Sequence, residues 1–510
     1  MLFNSDVFLF EFLPAVLVGF FLIRRIAGAR AAQILLAVSS VAFYAWSGWD
    51  LLVPLFASIL VNFAVGRALS RSIPYRRATH LLLALGICFD LGLLGYFKYA
   101  DFVAANLQAI GFHLAAPSVV LPLGISFYTF TQIAFLVDAA RREAKEYDLP
   151  RYILFVTFFP HLIAGPIIHH KEMMPQFAPE KLAERKFELL PEALMLFAIG
   201  LAKKVLLADG FAELARPVFA AAAAHAPPDL IAAWGATLCY TFQIYFDFSG
   251  YSDMALGLAL MFGIRLPINF LSPYKSTSII EFWRHWHMTL SRFLRDYLYF
   301  PLGGNRKGTF RRYANLMAVM TIGGLWHGAG WTFVFWGALH GLYLLVNHAW
   351  RTLAHRGLVA TPPIPAGRAL TFVCVALAWV LFRSDNLEVA RSMYAGLFGL
   401  NGIAIAANLL HPFGIEHGVA ILGVPISLLY SGQTAQLYEI VVSIFGMIVV
   451  LTLPNSMELC GFAPAPATGL TRTLQFQMLP RYAVATAIIL FLCVCVINSG
   501  AVSEFIYYRF

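Results

Sequence analysis

Long apolar runs broken by short polar turns set the character of this chain. A run of about 20 apolar residues crosses a bilayer, and such runs recur often enough to predict about 11 to 13 spans or re-entrant segments in one all-α polytopic integral membrane protein. The first run, from about Val7 to Ile23, lacks a basic leader and a small-residue cleavage site, so it reads as a retained span. Basic residues follow alternate runs: Arg24, Arg25 and Arg30, then Arg67, Arg71, Arg76 and Arg77, then Arg141, Arg142 and Lys145. The turns between them, at Ser47 to Asp50 and Ala100 to Pro117, carry few cations, with Lys98 the nearest. This alternation predicts an N-terminus outside and arginine-rich loops in the cytoplasm.

Interruptions of the apolar pattern carry more information than the runs. Tyr152 to Ile168 contains Pro160, His161 and Ala164-Gly165-Pro166, with Arg151 before it and Lys171, Lys181, Arg185 and Lys186 after it. Cations at both ends predict a re-entrant segment, since a crossing would leave one cluster outside. The run from Ala232 to Phe262 is interrupted at Tyr245 to Asp253, where Asp247, Ser249, Tyr251, Ser252 and Asp253 are too polar to face lipid. Of these, Asp247, Ser249, Tyr251 and Asp253 orient a histidine, line a tunnel, or form an interhelical polar network. Lys275 to Tyr299 is basic and aromatic, and the run from about Asn315 to Trp350 carries His327. Gly324/Gly328 and Gly337/Gly341 have the small-xxx-small spacing that lets helices approach closely. Further on, Asp385 is expected to cap a short surface helix with Glu388 reaching back to it, its apolar positions being Leu387, Tyr394, Leu397 and Phe398. Two spans, near Glu439 to Leu453 and Tyr482 to Ile497, close the chain, with a proline-containing loop between them.

Composition agrees with this reading. Of 510 residues, 60% are hydrophobic and only 12% charged. The net charge of +9 is spread over short loops, which fits membrane orientation and offers no basic domain for nucleic acid. Six cysteines form no CxxC pair and read as small core residues, with neither a disulfide framework nor a metal site.

The candidate chemistry centres on Trp326-His327-Gly328-Ala329-Gly330-Trp331. An ionisable residue at membrane depth marks either an interhelical hydrogen bond or a functional site. Gly323 and Gly324 precede His327 by one turn, and helical side chains lean toward the N-terminus, so the imidazole is expected to lie over open space. An imidazole with the ordinary pKa of about 6.5 is basic and mostly neutral at pH 7, which suits deprotonation of an alcohol attacking an acyl carbonyl. His287 is the second candidate, and His285 two residues earlier belongs to another helix face. The cluster Lys275, Arg284, Arg292, Arg295, Arg306, Lys307, Arg311 and Arg312 reads as orientation charge or as attraction for a polyanionic donor. There is no GxSxG elbow, HExxH pair, nucleotide-binding glycine loop or HxxxxD pattern on these histidines.

The pairing of FWRHWHMTLS (Phe282 to Ser291) with GGLWHGAGWTFVFWG (Gly323 to Gly337) resembles the membrane-bound O-acyltransferases. LPLGISFYTFTQIAFLVD (Leu121 to Asp138), FFPHLIAGPI (Phe158 to Ile167), QIYFDFSGYSDMALG (Gln243 to Gly257), LPN (Leu453 to Asn455) and the FIYYRF ending extend the resemblance over nearly the whole chain. It looks most like the bacterial branch typified by the alginate O-acetyltransferase membrane subunit, and more distantly like the D-alanyl transfer protein of teichoic acid synthesis. The resemblance implies one membrane domain over 1–510, with N-terminal helices to about 117, a catalytic core over about 118–350 and C-terminal helices over about 351–510. It implies a helical bundle pierced by a transmembrane tunnel, with donor entering from the cytosol and acceptor from the other face. His327 is then the catalytic base. His287, at a position that is Asn or His across the family, is the second catalytic residue, holding the thioester carbonyl or oxyanion. His285 departs from the arginine common in this branch. Trp326, Trp283, Arg284, Asp253 and Tyr251 are candidate substrate contacts. No bound cofactor or metal is expected; acetyl-CoA or another acyl thioester, free or on a carrier protein, is the co-substrate. The expected acceptor is an exported polysaccharide at the bacterial inner membrane, with membrane lipids and periplasmic acetylating proteins as partners. A lipid, teichoic-acid-like polymer or peptide acceptor stays open, as does a transporter, flippase or scaffold role.

Overall fold

The computed structural model describes residues 1–73, 76–112, 115, 118–144, 148–184, 189–406, 419–421, 424–429, 433–463, 480–500 and 505–506. Lys145, Arg185, Lys186, Tyr507 to Phe510, and parts of the 100–117 turn and of the proline-containing loop before Tyr482 lie outside them. A π-helical turn, Val7–Phe12, leads into α1 (Leu13–Ala45), which breaks into two helical arms at Gly28 (φ 86°, ψ 172°) and is followed by α2 (Leu52–Arg71) and α3 (Arg77–Leu94). α3 passes through a π-helical segment, Gly95–Tyr99, into α4 (Ala100–Ala109). The almost wholly buried α5 (Ile125–Ala140) packs on α2 and α3. Short helices follow: α6 (Leu149–Thr157), α7 (Phe159–Leu162), α8 (His170–Met173) and α9 (Pro179–Ala183). Next, α10 (Leu190–Ala202) and α11 (Asp209–Ala223), joined by the π-helical Lys203–Ala208, pack along the central α12 (Leu230–Met261).

The site lies in the next group: α13 (Ile279–His285), α14 (Met288–Leu294), and the antiparallel pair α15 (Gly308–His327) and α16 (Trp331–His355). α17 (Ile364–Arg383) and α18 (Leu387–Leu397) follow. Strands β1 (Ile403–Ala406), β2 (Val419–Ile421) and β3 (Val424–Leu429) form a small sheet in the order β1-β3-β2, with β1 parallel and β2 antiparallel to β3. The all-helical reading did not anticipate it. α19 (Gln433–Thr452), α20 (Ser456–Leu459) and α21 (Pro480–Asn498) end the described chain. Among the described residues, Val7–Ala45, Leu52–Arg71, Arg77–Ala109, Ile364–Arg383 and Pro480–Asn498 are long and apolar enough to cross a membrane. The protein is a polytopic helical membrane protein.

The two ends of the bundle differ in charge. At one end Arg30 pairs with Asp148 (Nη2 to Oδ1, 2.9 Å), Lys171 with Glu143 (3.3 Å) and Arg292 with Glu172 (2.8 Å). The Arg30 guanidinium holds the Asp148 carboxyl below the usual carboxylate range. At the other end the Met1 amine meets Ser47 (3.5 Å) and Trp331 donates to Asn106 (2.9 Å). The segment from α6 to α8 leaves the basic end, breaks between α6 and α7 at Phe158, and reaches Ile163 and Ala164, which line a small cavity with Met1 and Phe3. It returns to the basic end at Lys171, as a re-entrant segment must. Capping of α18 differs from expectation. Asn386, not Asp385, accepts from the backbone of Glu388 (3.0 Å) and Val389 (2.9 Å), and the helix packs on α11 and α12 through Val389, Ala390 and Met393.

Ion pairs occupy the polar interruption of α12. Lys204 sits between Asp209 (2.7 Å) and Asp247 (2.9 Å), and Lys203 pairs with Asp253 (2.6 Å). The α15/α16 pair is brought together by glycine. A Cβ on Gly324 would lie 2.3 Å from the Phe333 carbonyl oxygen, and one on Gly337 would lie 2.3 Å from that of Met320. Gly337→Ala therefore forces the helices apart and is expected to cost about 1–3 kcal/mol. Gly210→Ala, on an open face of α11, is expected to be neutral or slightly stabilising. Thermal unfolding of the purified variants checks both; equal midpoints would show that the close approach carries no weight.

Candidate active site

Two interruptions of helical structure meet inside the bundle. The first separates α13 from α14 at Trp286 and His287, with His287 in the left-handed region (φ 44°). The break is repaired by Asn269: its carbonyl accepts from the Met288 backbone (3.0 Å), and its side-chain Oδ1 accepts from the Thr289 backbone (3.3 Å) and hydroxyl (3.0 Å). Ser252 of α12 accepts from Asn269 Nδ2 (3.3 Å), which fixes the amide orientation. His287 Nδ1 lies 3.1 Å from the same Oδ1. An oxygen that already receives two donors offers only an acceptor, so in the neutral ring Nδ1 carries the proton and Nε2 is a bare lone pair. That Nε2 is buried without a hydrogen-bond partner, in a side chain 0% exposed.

The second interruption is the end of α15 at His327, where the chain leaves the helix in an extended conformation through Gly328. The last carbonyls of a helix lack intrahelical partners. Here Tyr99 donates to the Leu325 carbonyl (2.9 Å), and Lys98 donates to those of Trp326 (2.7 Å) and His327 (3.3 Å) and to Ser126 Oγ (3.1 Å). A cation at a helix C-terminus also complements the macrodipole. Lys98 and Tyr99 reach this position from the π-helical segment between α3 and α4, and such segments recur at functional sites.

The His287 and His327 rings lie 6.3 Å apart, centroid to centroid. His327 is 3% exposed and ringed by Trp326 (4.9 Å), Trp336 (5.1 Å) and Phe382 (5.3 Å). His287 meets Phe248 of α12 edge-on (4.8 Å), and Trp326 stacks on Phe130 (5.0 Å). The site is thus two imidazoles in an aromatic enclosure, suited to proton transfer from a substrate hydroxyl with water kept out.

Several expectations are corrected. The glycines before His327 do not leave open space: Gly324 is closed by α16 and Gly323 by Leu294. Gly328 is required instead by Phe333, whose ring would lie 2.2 Å from an added Cβ. Trp326 borders both histidines and Trp283 contacts Trp336 (5.9 Å), but the other three candidates lie apart. Asp253 is committed to Lys203, Tyr251 packs between Phe3 and Phe505 (5.0 Å each), and Arg284 is exposed on α13. His285 turns away from His287, toward Ser276 (3.4 Å). Asn269 and the capping role of Lys98 were missed. The available signals were an asparagine between Ile268 and Phe270 and a lysine inside an apolar run.

Lys98→Met is expected to loosen the last turn of α15, with faster hydrogen exchange over about residues 322–330, while Lys98→Arg keeps part of the protection. Wild-type exchange in Lys98→Met would remove Lys98 from this role.

Comparison with known proteins agrees with the geometry. The model of the membrane-bound O-acyltransferase family matches residues 118–382, a span that holds both histidines and Asn269. A peptidoglycan O-acetyltransferase of Helicobacter pylori is 42% identical over 434 residues, 79% of this chain and 81% of the relative. A "probable alginate O-acetylase" of Pseudomonas aeruginosa is 42% identical over 432 residues, 83% of this chain and 80% of the relative. Its counterpart from Pseudomonas fluorescens is 36% identical over the full length of both chains. With two apposed imidazoles at the heart of the matched segment, the chain is a member of the membrane-bound O-acyltransferase family, an acyltransferase enzyme.

Proposed function

We propose that this protein transfers an acetyl group from a thioester donor toward hydroxyls of an exported polysaccharide. The observation that carries the reading is the apposition of His287 and His327 at 6.3 Å within an aromatic enclosure. The O-acetylating names of the relatives support the acetyl group and the glycan acceptor. The gathering of cations at one end of the bundle supports a cytosolic donor entrance there, an N-terminus on the other side and residence in the bacterial inner membrane. Acetyl-CoA or an acyl carrier protein supplies the thioester, and substrates reach the histidines by a tunnel from each face.

His327 takes the proton from the acceptor hydroxyl. The hydroxyl oxygen forms a bond to the acyl carbon, the carbon–sulfur bond breaks, and His327 returns the proton to the departing thiolate. We give His287 a part other than the oxyanion holder implied by the resemblance. In its neutral form its free Nε2 accepts a hydrogen bond, so it orients the attacking hydroxyl; serving the oxyanion as donor requires a second proton.

His327→Ala is expected to lower turnover by about 10²–10⁴-fold, the usual contribution of a general base. His287→Ala is expected to lower it by about 10²-fold, with His287→Asn recovering part. Release of thiol from labelled acetyl-CoA and transfer to glycan by the purified proteins measure this. A transporter or scaffold would keep its function in cells after loss of both histidines, and that result would overturn the acyltransfer reading.

A further inference from the structure

A third histidine, unused in the chemistry above, is buried next to the site. His340 on α16 is 0% exposed, and neither ring nitrogen has a hydrogen-bond partner. Its ring lies 4.9 Å from that of Trp336 and 5.1 Å from that of Trp283. The indole nitrogens of both tryptophans are also buried without partners. Trp336 in turn touches His327 at 5.1 Å. A buried polar atom left unpaired forfeits its hydration without return, and native proteins rarely leave several together. Four such atoms on three adjoining side chains mark a place for a polar occupant.

Its chemistry follows from the atoms. Two indoles donate only, and a neutral imidazole donates once and accepts once. Three donors and one acceptor suit a chain of carbonyls with an occasional N–H, not a hydroxyl-rich sugar, and the cluster contains no cation to hold an anion. The direction agrees. Position 340 lies nine residues past Trp331 on α16, about 14 Å along the helix, toward the basic end. There Arg312 meets His348 (3.0 Å) and Arg351 donates to Ser278 (3.2 Å). Building on the thioester reading, we propose that His340, with the indole N–H groups of Trp283 and Trp336, positions the donor by binding the amides of its pantetheine-type arm.

The test uses full-length protein and two kinds of acetyl donor: acetyl-CoA, or the same arm on a carrier protein, and the amide-free thioester S-acetylpropanethiol. For His340→Leu, KM for the amide-bearing donor is expected to rise about tenfold, the worth of one hydrogen bond, with kcat little changed. The kcat/KM for S-acetylpropanethiol stays at the wild-type value, and His340→Gln, which keeps a donor and an acceptor, recovers most of the loss. Trp283→Phe and Trp336→Phe keep the rings and remove only the N–H, so they carry the test if His340→Leu does not fold. Equal effects on both donors, or none on either, would overturn the proposal while leaving the acyltransfer reading intact. If the wild-type protein used no thioester at all, both would fall.

Discussion

Backbone groups inside a bilayer have no water to turn to, so every helix that stops there must be finished from within the protein. This constraint governs the site. α15 stops at His327, and its last carbonyls are taken by Lys98 and Tyr99, more than 220 residues earlier in the chain. The break before α14 is closed by Asn269, which is itself held by Ser252 of α12. The groups that repair the breaks therefore also set where the two imidazoles stand. A helix that ran on through either position would turn its histidine elsewhere on the helical spiral.

Neighbouring residues of α12 divide between two tasks. Asp247 and Asp253 bind Lys204 and Lys203 from the π-helical stretch after α10, away from the histidines. Phe248 and Ser252, one and five residues past Asp247 in the same helix, face the site instead, as an edge against His287 and as a support for Asn269. Removing one partner of a buried pair leaves a charge unpaired and is strongly destabilising. The carboxylates thus fix the rotation of α12, and that rotation delivers Phe248 and Ser252.

How much of this was legible in the sequence depends on the kind of signal. Apolar length pointed to spanning helices, and against about 11 to 13 expected spans or re-entrant segments five described helices are long and apolar enough to cross; cations at both ends pointed to the re-entrant segment, because both are properties of one stretch of chain. His327 and His287 stood out because ionisable residues are rare at that depth. The partners did not. Nothing local distinguishes Asp253, tied to a lysine, from Asn269, tied to a histidine; the difference lies in which helix packs opposite. Gly323 and Gly324 were misread for the same reason, since a missing side chain signals open space or close packing alike, and α16 fills the gap. The cap on α18 fell one residue from its expected place because Asp and Asn serve equally there.

With the thioester chemistry proposed above, proton accounting explains why such a site can be closed so tightly. Acyl transfer from a thioester moves the hydroxyl proton to the leaving thiolate, so no proton needs a route to either surface. Only the substrates must enter. A conduit for protons would call for a file of titratable groups reaching the basic end. What adjoins His327 on that side is Trp336, with Trp283 and His340 packed behind it among aromatic rings. On the donor reading proposed above, such a wall meets the amides of the arm, while the apolar ring faces around His327 offer little to water, which would compete as acceptor. On that same reading, the enclosure of the base and the polarity of its approach are two sides of one requirement: admit a long, uncharged arm and keep out the solvent that would waste its cargo.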